Sequence, residues 1–585
     1  MLILKYISNV SRRHKSQFGI IVLTVFWSLF FTHISVAEIL NADEIPAHQG
    51  DSQTAGVYDI AVYGGTPAGI IAAIQASEMG KKALIIEPGN RLGGAMSGGL
   101  GWSDIGNEEI IGGLSREFFQ KVYQYYQVDS VWKAESFSAY KSRMRGNHRI
   151  GKDGPMWTFE PHVAETIFRQ MIDSAPTPIE VVCNERLDLQ HGILKKDGKI
   201  REIRMESGRL YKAKIFIDAS YQGDLMALVG VSYRVGRESR DTYHEPLAGV
   251  LGPTIKVRQP KQFFGPDVSP YDENGNLLPT IQNVPMGTPG QGDKKIQAYN
   301  FRVCLTTDSL NKLPIKKPAN YDPLTYELLY RYIRAKQLKS IMQMLTISPM
   351  PNLKTDINDG GHGCPFSTDY NGMNWDYPEG DYATRERIWQ AHYDFTIGLF
   401  YFLGHDLRLS ESIRREMLQY GLPKDEYAKT GHWTPQLYIR ETRRMIGEYV
   451  LTQHDCQENV AKENSIGLAS YGPDSHHVQR VVYNGEVINE GNFLEPHKSY
   501  EIPMEIILPK RDECQNLIVP VCVSSSHIAF GSIRMEPVFM ILGQSAATIA
   551  SLAIDRNTCP QDLDYTIIRE QLIKDHQLLK LKNNQ

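Results

Sequence analysis

Three side chains stand in surroundings that suit proton transfer or anion binding. His527, in Ser524-Ser-Ser-His-Ile528, and His476, in Asp474-Ser-His-His-Val478, each offer an imidazole, which can take a proton from a hydroxyl or carbon acid near neutral pH. Asp474 is expected to orient His476. Arg440, in Arg440-Glu-Thr-Arg-Arg444, suits a carboxylate or a sugar, and the spacing places Arg440 and Arg444 on one face of a helix. Each has a plainer reading: a core histidine for His527, a solvated turn for Asp474–Val478, and an inter-domain ion-pair network for Arg443 and Arg444. Asn358-Asp-Gly-Gly-His-Gly363 reads as a tight loop, with His362 a weaker candidate; it matches neither a zinc signature nor a nucleophile elbow.

Positioning such groups requires a scaffold, and the sequence supplies one near residue 60. Ile60-Ala-Val-Tyr63 reads as a buried strand, Gly64-Gly-Thr-Pro-Ala-Gly69 as a tight turn, Ala68 to Met79 as a helix, and Leu84-Ile-Ile-Glu87 as a second strand ending in an acid. This is the outline of a dinucleotide-binding βαβ unit. Gly64, Gly65, Ala68 and Gly69 let backbone N–H groups approach a pyrophosphate, Pro67 suits a first helical turn, and Glu87 can accept from ribose hydroxyls. Thr66 stands where the usual fingerprint has its second glycine.

Two further segments favour FAD over NAD. Arg91 could neutralise phosphate, and Gly93 and Gly94 let the chain pass close to a cofactor. Downstream, Ile215-Phe-Ile-Asp-Ala-Ser220 and Tyr221-Gln-Gly-Asp224 form another buried strand ending in small and polar residues, among them Asp218, Ala219, Gly223 and Asp224. No second glycine fingerprint follows, so no NAD(P)H domain is expected, and the electron partner is the substrate itself, dioxygen, a quinone or a protein.

These stretches, with Pro435-Gln-Leu-Tyr-Ile-Arg-Glu-Thr-Arg-Arg-Met-Ile-Gly447 and Val519-Pro-Val-Cys-Val-Ser-Ser-Ser-His-Ile-Ala-Phe-Gly-Ser-Ile-Arg-Met-Glu-Pro537, carry a resemblance over nearly all of the mature chain. The sequence resembles the FAD-dependent oxidoreductases of the glutathione-reductase-like superfamily, in a branch of exported bacterial proteins often labelled xanthan lyases, and is distantly similar to the flavin domain of the heterodisulfide reductases. Thr66 is usual in that branch. The resemblance implies an adenine contact from the backbone near Leu187. It also implies that Arg534, Met535, Glu536 and Pro537 bring a helix N-terminus to the flavin, where charge builds on reduction.

Composition bounds the rest. The 585 residues can bury a large core and should hold more than one domain, and a net charge of -4 gives no basic surface of the kind nucleic-acid binding requires. Lys5, Arg12, Arg13 and Lys15 precede an apolar run, Phe18 to Phe31, with small residues at Ser35-Val-Ala37, so a cleavable signal over residues 1–37, a periplasmic or secreted protein and no membrane span after cleavage are expected. Export by the general or the twin-arginine route stays open. Seven cysteines show no C-x-x-C pair, which argues against iron-sulfur clusters and a redox disulfide; Cys514 and Cys522 are either a structural disulfide or buried thiols. No metal site is expected.

The predicted architecture is α/β: a Rossmann-like FAD-binding domain with a large inserted α+β substrate domain. Residues 38–56 read as a linker, 57–236 as the first part of the FAD domain, 237–499 as the insertion and 500–585 as the returning segment. Helices are expected near Pro323–Leu345, Tyr382–Leu403 and Leu437–Thr452. The aromatics of Asn374-Trp-Asp-Tyr377 and His432-Trp433 would suit stacking on sugar rings or core packing. The expected activity is oxidation of a hydroxyl on a saccharide or other small polar molecule, with hydride passing to flavin N5. A polysaccharide lyase or carbohydrate-binding protein, and a redox-neutral elimination with FAD as auxiliary, are the alternatives.

Overall fold

The structure is a computed structural model, which describes residues 54–581 apart from 145–148, 254–261, 362 and 459. The expected signal and His362 lie outside the described residues. Strand β1 (Thr54–Tyr63), helix α1 (Pro67–Glu78) and strand β2 (Ala83–Glu87) form the predicted βαβ unit. A single turn, α2 (Gly94–Ser97), follows the second glycine loop, and β3 (Glu180–Cys183) adds to the far side of β2. A hairpin of β4 (Ile193–Lys196) and β5 (Lys199–Arg204) then leads to β6 (Leu210–Asp218), which lies parallel to β1. The sheet order is β3-β2-β1-β6-β5-β4.

Helix α3 (Asp224–Val229) follows β6, and the chain then leaves for the insertion, whose longest helix is α4 (Tyr382–His405). It returns as β7 (Leu517–Ile518), which pairs in parallel with Phe216 and Ile217 at the C-terminal end of β6. Helices α5 (His527–Ile533) and α6 (Glu536–Arg556) complete the return. Among the described residues α6 alone is long and apolar enough to cross a membrane, yet it is buried in the core along α1. Its packing is backbone on backbone: a Cβ at Gly543 would come 2.2 Å from the Ala68 carbonyl oxygen.

The insertion has its own core, from Phe264 to Val487, with α4 and a three-stranded antiparallel sheet of Thr346–Pro349, Lys354–Asn358 and Val303–Thr306. The fold class is therefore the expected one. The predicted helix at Leu437–Thr452 is not found. Leu437–Tyr438 pairs with Asn300–Phe301, and Arg443–Met445 pairs antiparallel with Tyr233–Val235. Successive arginines consequently serve different partners: Arg443 reaches Asp224 and Glu379, and Arg444 reaches Glu238 and Glu441. A helix would have put charges on one face; buried extended chain distributes them to both sides. The expected Pro323–Leu345 helix is shorter, Glu327–Lys336, with single 3-10 turns before and after it.

Asp224 joins the two parts. Its carboxylate takes both forks of Arg385 on α4, at 2.6 and 2.8 Å, and Arg443 at 2.7 Å. Burial works against its charge, but the two guanidiniums hold its pKa below the usual carboxylate range. Removing one member of such a buried cluster leaves uncompensated charge. Asp224→Ala is therefore expected to lower the unfolding free energy by about 3–5 kcal/mol, read from denaturant midpoints, whereas a loss under about 1 kcal/mol would show the cluster to be incidental.

Candidate functional site

The glycine turn owes its shape to three contacts. Gly64 has φ +104°, and any Cβ there would come 2.7 Å from the Ser220 nitrogen. A Cβ at Gly69 would lie 2.0 Å from the Gly64 carbonyl oxygen, so helix α1 starts hard against the loop. Thr66 explains the missing glycine. Its Oγ1 accepts from the Gly69 N–H at 3.2 Å, capping α1, and donates to the Ala219 carbonyl at 2.8 Å, tying the loop to the end of β6.

Glu87 lies under the loop. Its two oxygens accept from the Gly65 and Gly89 N–H groups, each at 2.7 Å, and burial pushes its pKa up to about 7. Gly64, Thr66, Glu87, Arg91 and Gly94 border a cavity of about 230 Å³ with Ser220, Tyr221 and Gln436. Arg91 pairs with Glu165 at 2.7 Å while its Nε is buried without a partner. Gly93, at φ +96°, lets the chain turn into α2, and its N–H donates to the Gly65 carbonyl at 2.7 Å. A loop with no room for side chains, an acid below it and a second glycine loop converge on one space, and this donor set fits FAD, with Glu87 and Arg91 as its polar contacts.

Four other residues expected at the cofactor have their own places in the fold. Leu187 is buried away from the cavity, with its N–H donated to Tyr63 Oη at 3.2 Å and its carbonyl accepting from Tyr382 Oη at 2.9 Å. Asp224 is consumed by Arg385 and Arg443. Asp218 folds back on its own turn, accepting from Ser220 and from the Met226 N–H, while Gly223 adopts φ +65° to start α3. Carboxylates beside a strand end satisfy local N–H groups first when these are buried too.

A second cavity of about 230 Å³ is bordered by Asp104, Arg302, Asn358, Asp359, Tyr438, Tyr471, Asp474, His476, Asn492 and Arg534, with Leu494 its main apolar contact. Asp369, and not Asp474, orients His476, accepting Nδ1–H at 2.7 Å; Asp474 lies 3.9 Å from Nε2. Burial pushes Asp474 up to about 6, opposed by Arg534 at 3.3 Å. Arg302 is held by Asp356 through two bonds of 2.9 and 2.7 Å, which leaves its Nη1 toward Asp104. Arg302 Nη1, Arg534 Nε and Asn492 Oδ1 are buried and without hydrogen-bond partners.

Arg440 and His527 lie behind this wall. Arg440 is fully buried, 3.1 Å from Asp369, so it steadies the carboxylate that holds His476 and does not face the cavity. His527 places Nδ1 opposite Glu441 at 2.8 Å and packs edge-on to Phe493, the core reading of that residue. Trp433 and Tyr377 are buried as well, so those aromatics are core and not a sugar platform. All seven cysteines are free thiols, which removes the Cys514–Cys522 disulfide.

One hydrogen bond and a short stretch of chain link residues of the two cavities. Tyr221 borders the first and donates to Glu536 at 2.5 Å; Arg534, two residues earlier, borders the second, with Met535 as the N-cap of α6 and Pro537 in its first turn. A larger surface groove, about 750 Å³, lies elsewhere among Glu78, Glu117 and Lys574, and contains neither the Gly64–Gly69 loop nor His476. Asp104, Arg302, Asp369 and Asn492 escape sequence reasoning because no local motif surrounds them; they meet only through tertiary packing.

A family model described as FAD dependent oxidoreductase matches residues 59–572. No curated protein matches the chain. Among solved structures, similarity is found to an L-amino acid deaminase from Proteus vulgaris at 15% identity and a TM-score of 0.21, covering 33% of this chain and 55% of that one. A geranylgeranyl bacteriochlorophyll reductase-like protein from Thermoplasma acidophilum matches at 11% identity and a TM-score of 0.33, over 89% and 84% of the two chains. L-proline dehydrogenase from P. horikoshii matches at 15% and 0.21, over 31% and 58%. The chain thus spans little more than half of the deaminase and the dehydrogenase.

Glu87→Ala is expected to lower the flavin content of the purified protein at least several-fold, read from its visible absorption against protein concentration. Undiminished flavin would take Glu87 out of the cofactor site.

Proposed function

The chain belongs to the FAD-dependent oxidoreductase family, and from that premise we propose that it oxidises a hydroxyl group of a saccharide or another polyhydroxylated small molecule. The observation that carries this reading is the second cavity, where carboxylates and guanidiniums gather around a histidine and the lining is mostly polar. A sugar hydroxyl both donates and accepts. Asp104, Asp359 and Asp474 can accept from such groups, and Arg302 and Arg534 can donate to them.

His476 is the proposed base. Its Nδ1–H rests on Asp369, Nε2 is the nitrogen proposed to take the hydroxyl proton, and Asp369 stabilises the imidazolium that results. Arg440, 3.1 Å from Asp369, holds that carboxylate in place. FAD, when bound, supplies the two-electron acceptor. Tyr438, which carries the guanidiniums of Arg302 and Arg440 against its ring, also borders the cavity. The resemblance to exported proteins supports a periplasmic or secreted location, and residues 237–499 are the proposed substrate domain.

Anaerobic mixing of the FAD-loaded protein with sugars, polyols and uronates, followed in the visible, tests the proposal. Bleaching by one of them, slowed about 10²–10⁴-fold in His476→Ala with its flavin retained, is the expected result. A flavin that stays oxidised while the compound is eliminated or isomerised would move the activity to a redox-neutral one.

A further inference from the structure

Glu536 occupies an unusual place. It is the first residue of α6, 5% exposed, and is bonded to Tyr221, which borders the glycine-loop cavity. Tyr221 Oη donates to its Oε1 at 2.5 Å and accepts the Ala95 N–H at 3.0 Å, in the turn that follows Gly93 and Gly94. Its second oxygen, Oε2, is buried with no hydrogen-bond partner. No lysine, arginine or histidine pairs with it among the described residues; Arg534, two residues away, spends its Nη groups on Tyr438 and Asp474.

The elements packed here present one titratable group to Glu536, Tyr221, whose own ionisation is opposed by burial and then by the Glu536 charge. Every other buried carboxylate at these cavities has a cation or backbone donors: Asp356 has Arg302, Asp369 has Arg440, Asp474 has Arg534, Glu87 has two N–H groups. A lone buried carboxyl group avoids the cost of an unpaired charge by keeping its proton. Burial raises its pKa to about 8.

We infer that Glu536 is the proton-holding residue of the redox centre, and that its acid proton balances the negative charge that bound FAD gains on reduction. The donor delivers two electrons and one proton as hydride, which leaves one unit of negative charge on the cofactor. The Oε–H proton of Glu536 is shared with that charge, so the pair holds one proton in the reduced state. On reoxidation the two electrons leave with the hydride proton, and the remaining proton returns to Glu536.

This predicts a proton stoichiometry. Below about pH 8 Glu536 already carries its proton when FAD is oxidised, so reduction takes one proton from solvent per electron pair. Above that pH Glu536 starts ionised and reduction takes two. The pH dependence of the midpoint potential of the FAD-loaded protein reads this number without any substrate. Wild type should pass from one proton to two as pH rises through about 8, and Glu536→Gln should stay at one from about pH 7.5 to 9.5. Identical proton counts in the two proteins would overturn the inference.

A second readout does not require the cofactor. A carboxyl group neutral in the folded protein and ionised in the unfolded chain makes stability fall as pH rises from the ordinary carboxylate range toward about 8. The thermal midpoint of wild type should therefore drop over that interval by more than that of Glu536→Gln. Parallel curves would show Glu536 ionised in the fold and would also overturn the inference.

Discussion

Asp224 lies at the junction on which the site depends. It stands at the first residue of α3, just past the strand that runs beside β1, and its two partners come from the insertion: Arg385 from α4 and Arg443 from the strand that follows the Pro435–Tyr438 segment. Because both guanidiniums are buried, they cannot exchange this carboxylate for water, and the insertion is fixed against the nucleotide sheet in one position. That position brings Pro435 and Gln436 to the glycine-loop cavity and Tyr438 to the polar one. An interaction with no direct role at either cavity therefore sets their adjacency.

Buried charge recurs throughout the site, and nearly every case is compensated. His476 leans on Asp369, Asp369 on Arg440; His527 leans on Glu441, and Glu441 on Arg444. Although burial opposes the Glu441 charge, His527 and Arg444 hold its pKa low. The two histidine–carboxylate–arginine chains are alike in chemistry and differ in access: only His476 borders a cavity. Accessibility, more than residue type, separates the candidate base from the core histidine.

Much of the cofactor side was legible in the sequence because its constraints are local. A strand, a turn that excludes Cβ atoms, a helix and an acid about twenty residues on follow one another along the chain, and the structure repeats them in that order. Thr66 shows the limit of a consensus: its hydroxyl does by hydrogen bonding to Ala219 and Gly69 what spacing alone does not reveal. On the substrate side the sequence pointed to His476 and Asp474, and to Arg534 only as a cofactor residue. Asp104, Arg302, Asp359, Asp369 and Asn492 come from separate segments, and their meeting is a property of packing. The arginine run was misread as helical because a spacing of four suits a helix face and also suits one side of an extended chain.

The central proposal is that the redox ring of FAD lies beside Tyr221, near the glycine-loop cavity that Tyr221 borders. A crystal structure of the protein with FAD bound would test this most directly. The account predicts the dinucleotide along Gly64–Gly69 and Glu87, and the ring beside Tyr221 and Arg534–Glu536, with one edge open to the cavity that His476 borders. A ring directed away from that cavity, or separated from it by the insertion, would contradict it.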